Sequence, residues 1–297
     1  MAGAPDSKIP FTKMHGLGND FVLVDARFIP NRDWADVAVK MCDRHFGIGA
    51  DGLILILASQ VADLRMRIIN SDGSEAQMCG NGIRCLAKYA YERGLARGRS
   101  RSNGCSMAIE TLAGIKKVAL EVRGNTVAGV RVDMGAPAFD PRRIPVAIDA
   151  PVVKDFPLVV NDQEFAISCV SMGNPHTITF LEHEKLNQIN LHEVGPIIER
   201  HDLFPERTNV EFCTVLQSDE GSSLRVRVWE RGAGHTLACG TGACAAAVSA
   251  MTHGLVESSV RVVLDGGSLL VEWAGGDSPV YMSGEASYVC DGTYYYS

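Results

Sequence analysis

The chain has 297 residues, with 28 Lys and Arg against 35 Asp and Glu, which gives a net charge of −7 at pH 7. This negative charge argues against nucleic acid or an anionic membrane as a partner. With 46% hydrophobic and 21% charged residues the composition is typical of a globular protein, and the length suits two domains.

The first eight residues, Met1–Lys8, have neither the apolar core of a signal peptide nor an Arg-rich amphipathic helix. Apolar runs such as Leu53–Ala58 have the length of a strand and are too short to cross a bilayer. We therefore expect a cytoplasmic protein, or a plastid one if a transit peptide has been removed.

Gly18-Asn19 predicts a turn ahead of the β-rich run Phe21–Val24, and the pattern returns at Gly173-Asn174. The two asparagines are 155 residues apart, since 174 − 19 = 155. A Gly-Asn turn bends the backbone and offers an amide side chain, which suits binding of polar ligand groups. A lone loop Asn is more often a local cap, but matched placement in two copies favours the binding role.

Asp33–His45 predicts a helix, and Gly47–Gly52 predicts a tight turn before a strand that starts at Leu53. The Pro-rich segment Gly135–Pro145 has the composition of an interdomain linker. Further strands are predicted at Cys105–Thr111, Ile115–Val122, Thr126–Met134, Phe165–Val170, Val260–Leu264, Ser268–Trp273 and Val280–Ser283.

The stretch Arg65–Ala90 occurs twice in the chain. The second copy, Arg225–Ala250, aligns with the first without a gap at an offset of 160, since 239 − 79 = 160. Each copy predicts a short apolar strand, a Gly-rich turn, the motif Cys-Gly-X-Gly and a helix. The chain is therefore expected to have two similar halves.

The motif places Cys79 and Cys239 at the start of a helix. Glycines at 80 and 82, and again at 240 and 242, let the backbone approach a ligand closely. Backbone N–H groups at a helix start attract an anion, and the same field lowers a cysteine pKa from about 8.5 to roughly 3.5–7.5. Each copy therefore predicts a carboxylate cradle with a reactive thiol beside it.

Two such units predict one thiol on each face of a single bound carbon. An enzyme that inverts a stereocentre needs this arrangement, because one group removes a proton from one face while another delivers a proton to the opposite face. The alternative is that Cys79 and Cys239 are buried small hydrophobes, as most unpaired cysteines are. Cys85 and Cys244, further along the helices, are expected to pack on the inner helix faces.

The chain has nine cysteines, and an odd number without a secretory signal predicts reduced thiols rather than a disulfide framework. The spacings of Cys79 from Cys85 and of Cys239 from Cys244 differ from the CxxC of zinc ribbons and dithiol redox sites. No metal site is therefore predicted.

Glu230-Arg231 precedes Cys239 at the same spacing as Asn70 precedes Cys79. Such a charged pair can hold the ammonium and carboxylate groups of an amino acid, although a solvated pair at a strand end is the alternative. His176 is either a satisfied loop histidine or a group that shifts the proton affinity of a thiol.

The predicted fold is α/β (α+β). It has two pseudo-symmetric domains from an internal duplication, each a curved, mostly antiparallel sheet or barrel around a central helix. The first domain covers residues 1–134 and is joined by the C-terminal strand at about 284–297, and the second covers residues 135–283.

These motifs, in this order, resemble the diaminopimelate epimerase family over nearly the whole chain. The resemblance implies a cofactor-independent isomerase that interconverts LL- and meso-2,6-diaminopimelate at one α-carbon in lysine biosynthesis, and it implies a homodimer. The matching segments are His15–Asp20, Asn70–Glu75, Met78–Gly82, Gly173–His176, Glu230–Gly234 and Ala238–Cys244.

The resemblance implies that Cys79 and Cys239 are the two acid/base residues, and that His176 and Glu230 tune them. The backbone cradles that it implies for the reacting carboxylate are Gly80-Asn81 and Gly240-Thr241. The implied substrate-binding side chains are Asn19, Asn70, Asn174, Asn209, Glu230 and Arg231.

Two positions depart from the pattern of many family members. Gly52 stands where a glutamine often contacts the ligand, which puts one binding contact in doubt. His235 stands where glutamate is frequent, and no role is assigned to it.

Two alternatives remain open. A proline or hydroxyproline racemase-like enzyme shares paired cysteines, although the amide-rich repeats and Glu230-Arg231 favour a longer, doubly zwitterionic substrate. A thiol redox switch or regulatory binding protein is the non-enzymatic alternative, because two thiols that face one carbon can join in a disulfide when the site is empty and oxidised.

Overall fold

The structure is a computed structural model that describes residues 8–96, 99–101, 104–219 and 221–296. The chain divides into two compact units. The first comprises Met1–Val132 and Gly284–Ser297, and the second comprises Asp133–Ser283.

In the part of the first unit that the structure describes, strands predominate and there are two helices. Its elements are β1 (Lys8–Gly16), β2 (Asn19–Asp25), α1 (Trp34–Cys42), β3 (Gly52–Leu57), β4 (Leu64–Asn70), β5 (Glu75–Ala76), α2 (Gly80–Glu92), β6 (Arg99–Arg101), β7 (Gly104–Thr111), β8 (Gly114–Arg123) and β9 (Thr126–Gly135).

The second unit has a similar make-up. Its elements are a 3₁₀ turn (Pro141–Arg143), β10 (Phe156–Val160), β11 (Gln163–Ser171), β12 (Pro175–Phe180), α3 (His183–Gln188), α4 (Leu191–Glu199), β13 (Asn209–Ser218), β14 (Gly221–Glu230), β15 (Gly234–Thr236), α5 (Gly240–Thr252), β16 (Ser259–Leu264), β17 (Gly267–Glu272) and β18 (Val280–Gly284). The last strand of the chain, β19 (Ser287–Tyr295), belongs to the first unit.

The two units have the same sheet topology. The strand order is β19-β1-β2-β3-β4-β7-β8-β9 in the first unit, with β2/β3 and β4/β7 parallel. It is β10-β11-β12-β13-β14-β16-β17-β18 in the second, with β12/β13 and β14/β16 parallel. The C-terminal strand β19 therefore fills in the first unit the place that β10 fills in the second.

This topology confirms the mixed α/β fold and the duplication. Among the described strands of each unit no pairing joins the two ends of the sheet, so each unit is an open sheet rather than a closed barrel. Helix α2 packs on β1, β2, β3, β4 and β8, and α5 packs on β11, β12, β13, β14, β16 and β17. Each motif helix is thus the central helix of its unit.

The composition of the strands follows from what covers them. In β3, Leu53 and Leu55 are buried in the core beneath α1, while Ile54 faces α2, where it contacts Gly82. A strand covered on both faces is apolar throughout, as the sequence of β3 is. In β13, Val210 and Phe212 belong to the apolar core that includes residues of α3 and α4.

Helix α5 is buried almost all round. Its residues from Ala243 to Ala250 are buried, and five of these eight are alanine. Small side chains let neighbouring strands approach the helix backbone on every side. No helix among the described residues is long and apolar enough to cross a membrane.

Two local predictions differ from the structure. Helix α1 ends at Cys42 rather than His45, because the Asp43 carboxylate accepts hydrogen bonds from the backbone N–H groups of His45 and Phe46, both at 2.7 Å, and holds a turn. The segment 135–145, predicted as a linker, packs in the second unit, where Ala138 pairs with Ser171.

Candidate active site

Cys79 is the N-cap residue of α2. Its backbone is extended, and its sulfur accepts a hydrogen bond from the Gly82 N–H at 3.5 Å. A cysteine thus takes the place of the Ser, Thr or Asp that usually caps a helix. The first-turn amides of α2 therefore point toward the thiol, as the motif predicted.

Asn19 and Asn81 lie next to this thiol. The Cys79 thiol donates to Asn19 Oδ1 at 3.6 Å, and Asn81 Nδ2 donates to the same oxygen at 3.1 Å. Asn19 is the first residue of β2, so the predicted Gly-Asn turn does bring its amide to the cysteine.

Two charged residues fix the orientation of these amides. Arg84, which is fully buried, donates from Nη2 to Asn81 Oδ1 at 3.0 Å, and it can only donate. Asp51 accepts from Asn19 Nδ2 at 2.7 Å and from Arg44 at 2.7 Å. Because the chain begins at a pure donor and ends at an ionised acceptor, an amide oxygen is held toward the Cys79 thiol.

Cys239 caps α5 in the same way, with the Gly242 N–H donating to its sulfur at 3.3 Å. Its side chain is more buried than that of Cys79, with 6% of the residue exposed. Burial, and then the charges of Glu230 and Glu211, raise the pKa of Cys239 well above its ordinary value, although the Thr241 hydroxyl and the Gly242 amide act in the opposite direction. The lowered pKa expected at a helix start is therefore wrong for this thiol, because loss of hydration outweighs the helix amides.

Four residues continue from Cys239 as a hydrogen-bonded chain. The Thr241 hydroxyl lies 3.5 Å from Cys239 Sγ, and Asn174 Nδ2 donates to that hydroxyl at 3.4 Å. Asn174 Oδ1 lies 3.0 Å from His176 Nε2, and His176 Nδ1 lies 2.8 Å from Glu211 Oε1. His176 therefore reaches the thiol through Asn174 and Thr241 rather than directly.

Glu230 is the second acidic group at this thiol. Burial raises its pKa above the ordinary value, while hydrogen bonds from the Thr236 hydroxyl and the Cys239 thiol lower it. The net direction is upward, which brings this carboxylate closer to the proton affinity needed to accept a proton from the thiol.

Asn209 is the first residue of β13, and Arg231 directly follows Glu230, the last residue of β14. Asn209 Oδ1 accepts from the Arg231 N–H at 2.9 Å, and Asn209 Nδ2 donates to the Pro175 carbonyl at 2.8 Å. The Arg231 guanidinium donates to the Glu206 carbonyl at 3.0 Å. These contacts hold Asn209 and Arg231 in one loop cluster with the Asn174-Pro175 turn.

Asn70 and the two departing positions have local contacts. Asn70 Nδ2 donates to Ser74 Oγ at 3.0 Å, within its own turn. Gly52 opens β3 and pairs with Asn70. His235 Nε2 lies 2.9 Å from Asp265 Oδ2.

The prediction that the cysteines further along the helices are packing residues is confirmed. Cys85 and Cys244 are completely buried, and burial raises the pKa of Cys85 to about 12. A thiol in that state is a packed apolar group rather than a reactive one.

Three residues of the two clusters were not singled out from the sequence: Asp51, Arg84 and Glu211. Arg84 had a detectable signal, since it is an arginine inside the apolar run Ile83–Ala87 of a helix that has to be buried. Glu211 had a similar signal within the run Val210–Phe212. Charged residues in such places are rarely left unpaired, so both marked a polar network.

Known proteins resemble this chain over nearly its whole length. The family profile of diaminopimelate epimerase matches residues 11–139 and 168–289 of the chain. A diaminopimelate epimerase from Moorella thermoacetica is 53% identical over 286 residues, covering 96% of this chain and 98% of that protein.

Two solved structures have the same fold. A phenazine biosynthesis protein of the PhzF family from Bacillus anthracis matches with a TM-score of 0.68 at 19% identity, covering 96% of this chain and 98% of that one. A probable proline racemase from Agrobacterium radiobacter K84, with bound carbonate, matches with a TM-score of 0.67 at 14% identity, covering 96% and 92%. At these identities the likeness concerns the fold alone.

Proposed function

Since this chain belongs to the diaminopimelate epimerase family, and is accordingly an isomerase, we propose that it interconverts LL- and meso-2,6-diaminopimelate by proton transfer between two cysteines and one α-carbon, in the diaminopimelate route to lysine. The observation that carries the proposal is the pair of cysteine-capped helices. Cys79 and Cys239 each end a hydrogen-bonded chain of polar groups, most of them buried or half-buried, an arrangement that a merely packed thiol does not need.

The contacts of the two sulfurs suit opposite roles. The Cys79 thiol donates to the Asn19 amide oxygen, so this group carries a proton that it can deliver. Cys239 lies beside the Glu230 carboxylate, which can accept its proton, and the Gly242 N–H then stabilises the resulting thiolate.

In one direction of the reaction, Glu230 takes the proton from Cys239, and the Cys239 thiolate removes the α-proton of the substrate. The Cys79 thiol delivers its own proton to the opposite face of the same carbon and becomes a thiolate. Exchange with water restores the starting protonation states. In the reverse direction, Cys79 is the base and Cys239 is the acid, as microscopic reversibility requires.

Removal of an α-proton from an amino acid produces negative charge that spreads onto the carboxylate. The first-turn amides of α2 and α5, at Gly80-Asn81 and Gly240-Thr241, can hold that carboxylate, because N–H groups at a helix start point at an anion. Fixed donors of this kind stabilise charge as it develops and need no reorganisation during the step.

Asn209 and Arg231 offer polar contacts for the distal amino-acid end of diaminopimelate. A substrate that lacks this end cannot form these contacts, which is a source of discrimination. This requirement favours diaminopimelate over proline, whose ring carries one amino-acid group.

Proton NMR of the reduced, pyridoxal-free protein with LL-diaminopimelate in D₂O tests the proposal. We expect deuterium to enter one α-position while the meso isomer accumulates. If diaminopimelate stays protonated while proline exchanges, the proline racemase alternative holds instead. If neither exchanges, the chain lacks the proposed activity.

A further inference from the structure

Glu211 is a fully buried carboxylate on β13, close to the first turn of α5, where its Oε1 lies 2.6 Å from the place of a Cβ on Gly242. Its Oε1 pairs with His176 Nδ1 at 2.8 Å, and its Oε2 has no hydrogen-bond partner among the described residues. Burying a carboxylate is unfavourable unless a partner group compensates its charge. The pairing with His176 supplies the compensation.

The neighbours of His176 determine its protonation. Glu211, when ionised, can only accept, so His176 Nδ1 carries a hydrogen. Asn174 directs its Nδ2 at Thr241 and therefore its Oδ1, another acceptor, at His176 Nε2. Both ring nitrogens thus face acceptors, and the imidazolium is the form that satisfies both.

The direction of the donors continues from His176 to the sulfur. Asn174 Nδ2 gives its hydrogen to Thr241 Oγ1, which leaves the hydroxyl hydrogen of Thr241 for Cys239 Sγ. From His176 onward each group donates a hydrogen bond to the next, so every hydrogen bond points toward the Cys239 sulfur. A hydroxyl that donates to sulfur favours the thiolate.

The duplicate unit has apolar residues at the corresponding positions. In the first unit Ile54 pairs with Ile68, and in the second Glu211 pairs with Val228, where 228 − 68 = 160 is the offset of the repeat. Phe21 is the counterpart of His176 by the same registers. The sheet and its central helix thus form with Phe and Ile at these positions, so the fold itself does not require His and Glu there.

We propose that Glu211 is a positioning residue for the reaction, which acts through His176 and Asn174 to make the Thr241 hydroxyl a donor to Cys239. This inference rests on the proposed function, in which Cys239 has to become a thiolate. Glu211 touches neither the substrate nor the reacting atoms in this scheme.

The other titratable groups around Cys239 are accounted for as follows. Glu230 faces the thiol from β14, and its charge opposes the thiolate. Cys169 on β11 and Cys213 on β13 are neutral thiols, because burial raises the pKa of each. The charge of Glu211 alone also opposes the thiolate, but the Glu211–His176 pair has no net charge.

Replacing Glu211 by Gln therefore changes mainly the hydrogen-bond direction. Without the carboxylate His176 becomes neutral and keeps one N–H, so its Nε2 can accept. Asn174 then turns to donate to it, presents its oxygen to Thr241, and takes the hydroxyl hydrogen away from Cys239. We expect kcat/KM at pH 7 to fall about 10- to 100-fold, with the acidic limb of the pH profile moved to higher pH.

Asp155→Asn is the matched control. Asp155 pairs with His253 at 3.1 Å, in the same unit but at the C-terminal end of α5, so this variant loses a His–carboxylate pair and leaves the Cys239 end unchanged. We expect its pH profile to coincide with that of the unmodified protein. A Glu211→Gln profile that falls at every pH without a shift of its limb means a structural role and overturns the inference.

A double-mutant cycle with Thr241→Val tests the route. If Glu211 acts through the Thr241 hydroxyl, Glu211→Gln shifts the acidic limb of the pH profile in the native background but not when Thr241 is already Val. Equal shifts in both backgrounds contradict the chain that we describe.

Nitrogen NMR of histidine-labelled protein tests the protonation state without any turnover. We expect His176, assigned by its loss in His176→Asn, to carry both N–H groups in the unmodified protein and only one in Glu211→Gln. A neutral His176 in the unmodified protein overturns the inference even if the enzyme is fully active. Conversely, a charged His176 in a protein that does not exchange diaminopimelate protons refutes the proposed function and leaves the pairing intact.

Discussion

Glu211 Oε1 lies 2.6 Å from the position that a Cβ on Gly242 would occupy, which is closer than any side chain tolerates. The same Cβ would lie 3.2 Å from Cys239 Sγ. Gly242 is thus the residue that allows a buried carboxylate and a buried thiol to pack against one helix turn. In the first unit the corresponding Cβ on Gly82 meets Ile54 Cδ1 at 3.0 Å.

These distances predict different outcomes for two matching substitutions. Gly242→Ala forces Glu211 to move, and because Glu211 is buried and paired with His176 we expect activity to fall by about 100-fold or more. Gly82→Ala pushes the flexible end of an isoleucine, which can change rotamer, so we expect a far smaller loss. Steady-state rates of both variants, with melting temperatures to confirm folding, make the comparison. Equal losses would mean that the glycines matter for the turn itself and not for what lies beneath.

Removal of either capping thiol should abolish stereoinversion. We expect Cys79→Ser and Cys239→Ser each to lower kcat by about 100-fold or more, because a hydroxyl gives up its proton far less readily than a thiol. Cys85→Ala is the control, since Cys85 is buried in α2 and away from the chemistry, and it should lose about 1 kcal/mol of stability while it keeps its rate. Full activity in both serine variants would refute the two-thiol mechanism.

Glu230 links activity to a cost in stability. Burial raises the pKa of Glu230 in the folded protein above the ordinary value of 4.5. The folded state then binds this proton more tightly than the unfolded state does, so the stabilisation is present below about pH 4.5 and is lost as the pH rises through the folded pKa. At neutral pH the ionised Glu230 therefore destabilises the fold.

Glu230→Gln removes this titration. We expect its melting temperature, relative to that of the unmodified protein, to rise between about pH 4.5 and the raised pKa of Glu230 and then to level off. Activity should fall at every pH, because the acceptor for the Cys239 proton is gone.

Glu75→Gln should show the opposite trend. The hydrogen bond from Arg67 holds the pKa of Glu75 below its ordinary value, despite some burial. Glu75 therefore stabilises the fold above its unfolded pKa, and its replacement should become more harmful as the pH rises. A difference for Glu230→Gln that does not change with pH would contradict the direction of the Glu230 shift.

The predictable part of the site is the part encoded locally. The Cys-Gly-X-Gly motif with its following apolar helix specifies the N-cap position of Cys79 and Cys239, since the turn and the helix lie within a few residues of each other. The constant offset between the two copies can also be read directly from the sequence, and it predicts the duplicated topology.

The remainder depends on tertiary contacts. Asp51 reaches Asn19 across 32 residues, and Glu211 reaches His176 across 35, so no motif contains either pair. The direction of the Cys239 pKa shift also follows from burial, which the sequence does not give, and here burial outweighs the helix amides. Whether each sheet stays open or closes into a barrel likewise depends on whether its end strands pair, which is a tertiary contact.

Asp51→Asn tests the orientation of the first thiol's neighbour. Asp51 Oδ2 accepts from Asn19 Nδ2 at 2.7 Å, which fixes the amide oxygen of Asn19 toward Cys79. An asparagine at position 51 can donate as well as accept, so the Asn19 amide can turn and present its nitrogen to the thiol. We expect kcat to fall by about 10- to 100-fold. The change in melting temperature should be small, because the Asp51 side chain is 43% exposed.

Asp25→Asn is the control for this change, since Asp25 forms a comparable ion pair with Arg27, at 2.8 Å, on the last residue of the same strand and makes no contact with Asn19. Rates of both variants, measured by deuterium incorporation into diaminopimelate, separate orientation from general loss of charge. If Asp25→Asn loses as much activity as Asp51→Asn, the effect comes from charge in this unit. If Asp51→Asn keeps its full rate, the amide of Asn19 does not need a fixed direction, and the proton on Cys79 is held by other means.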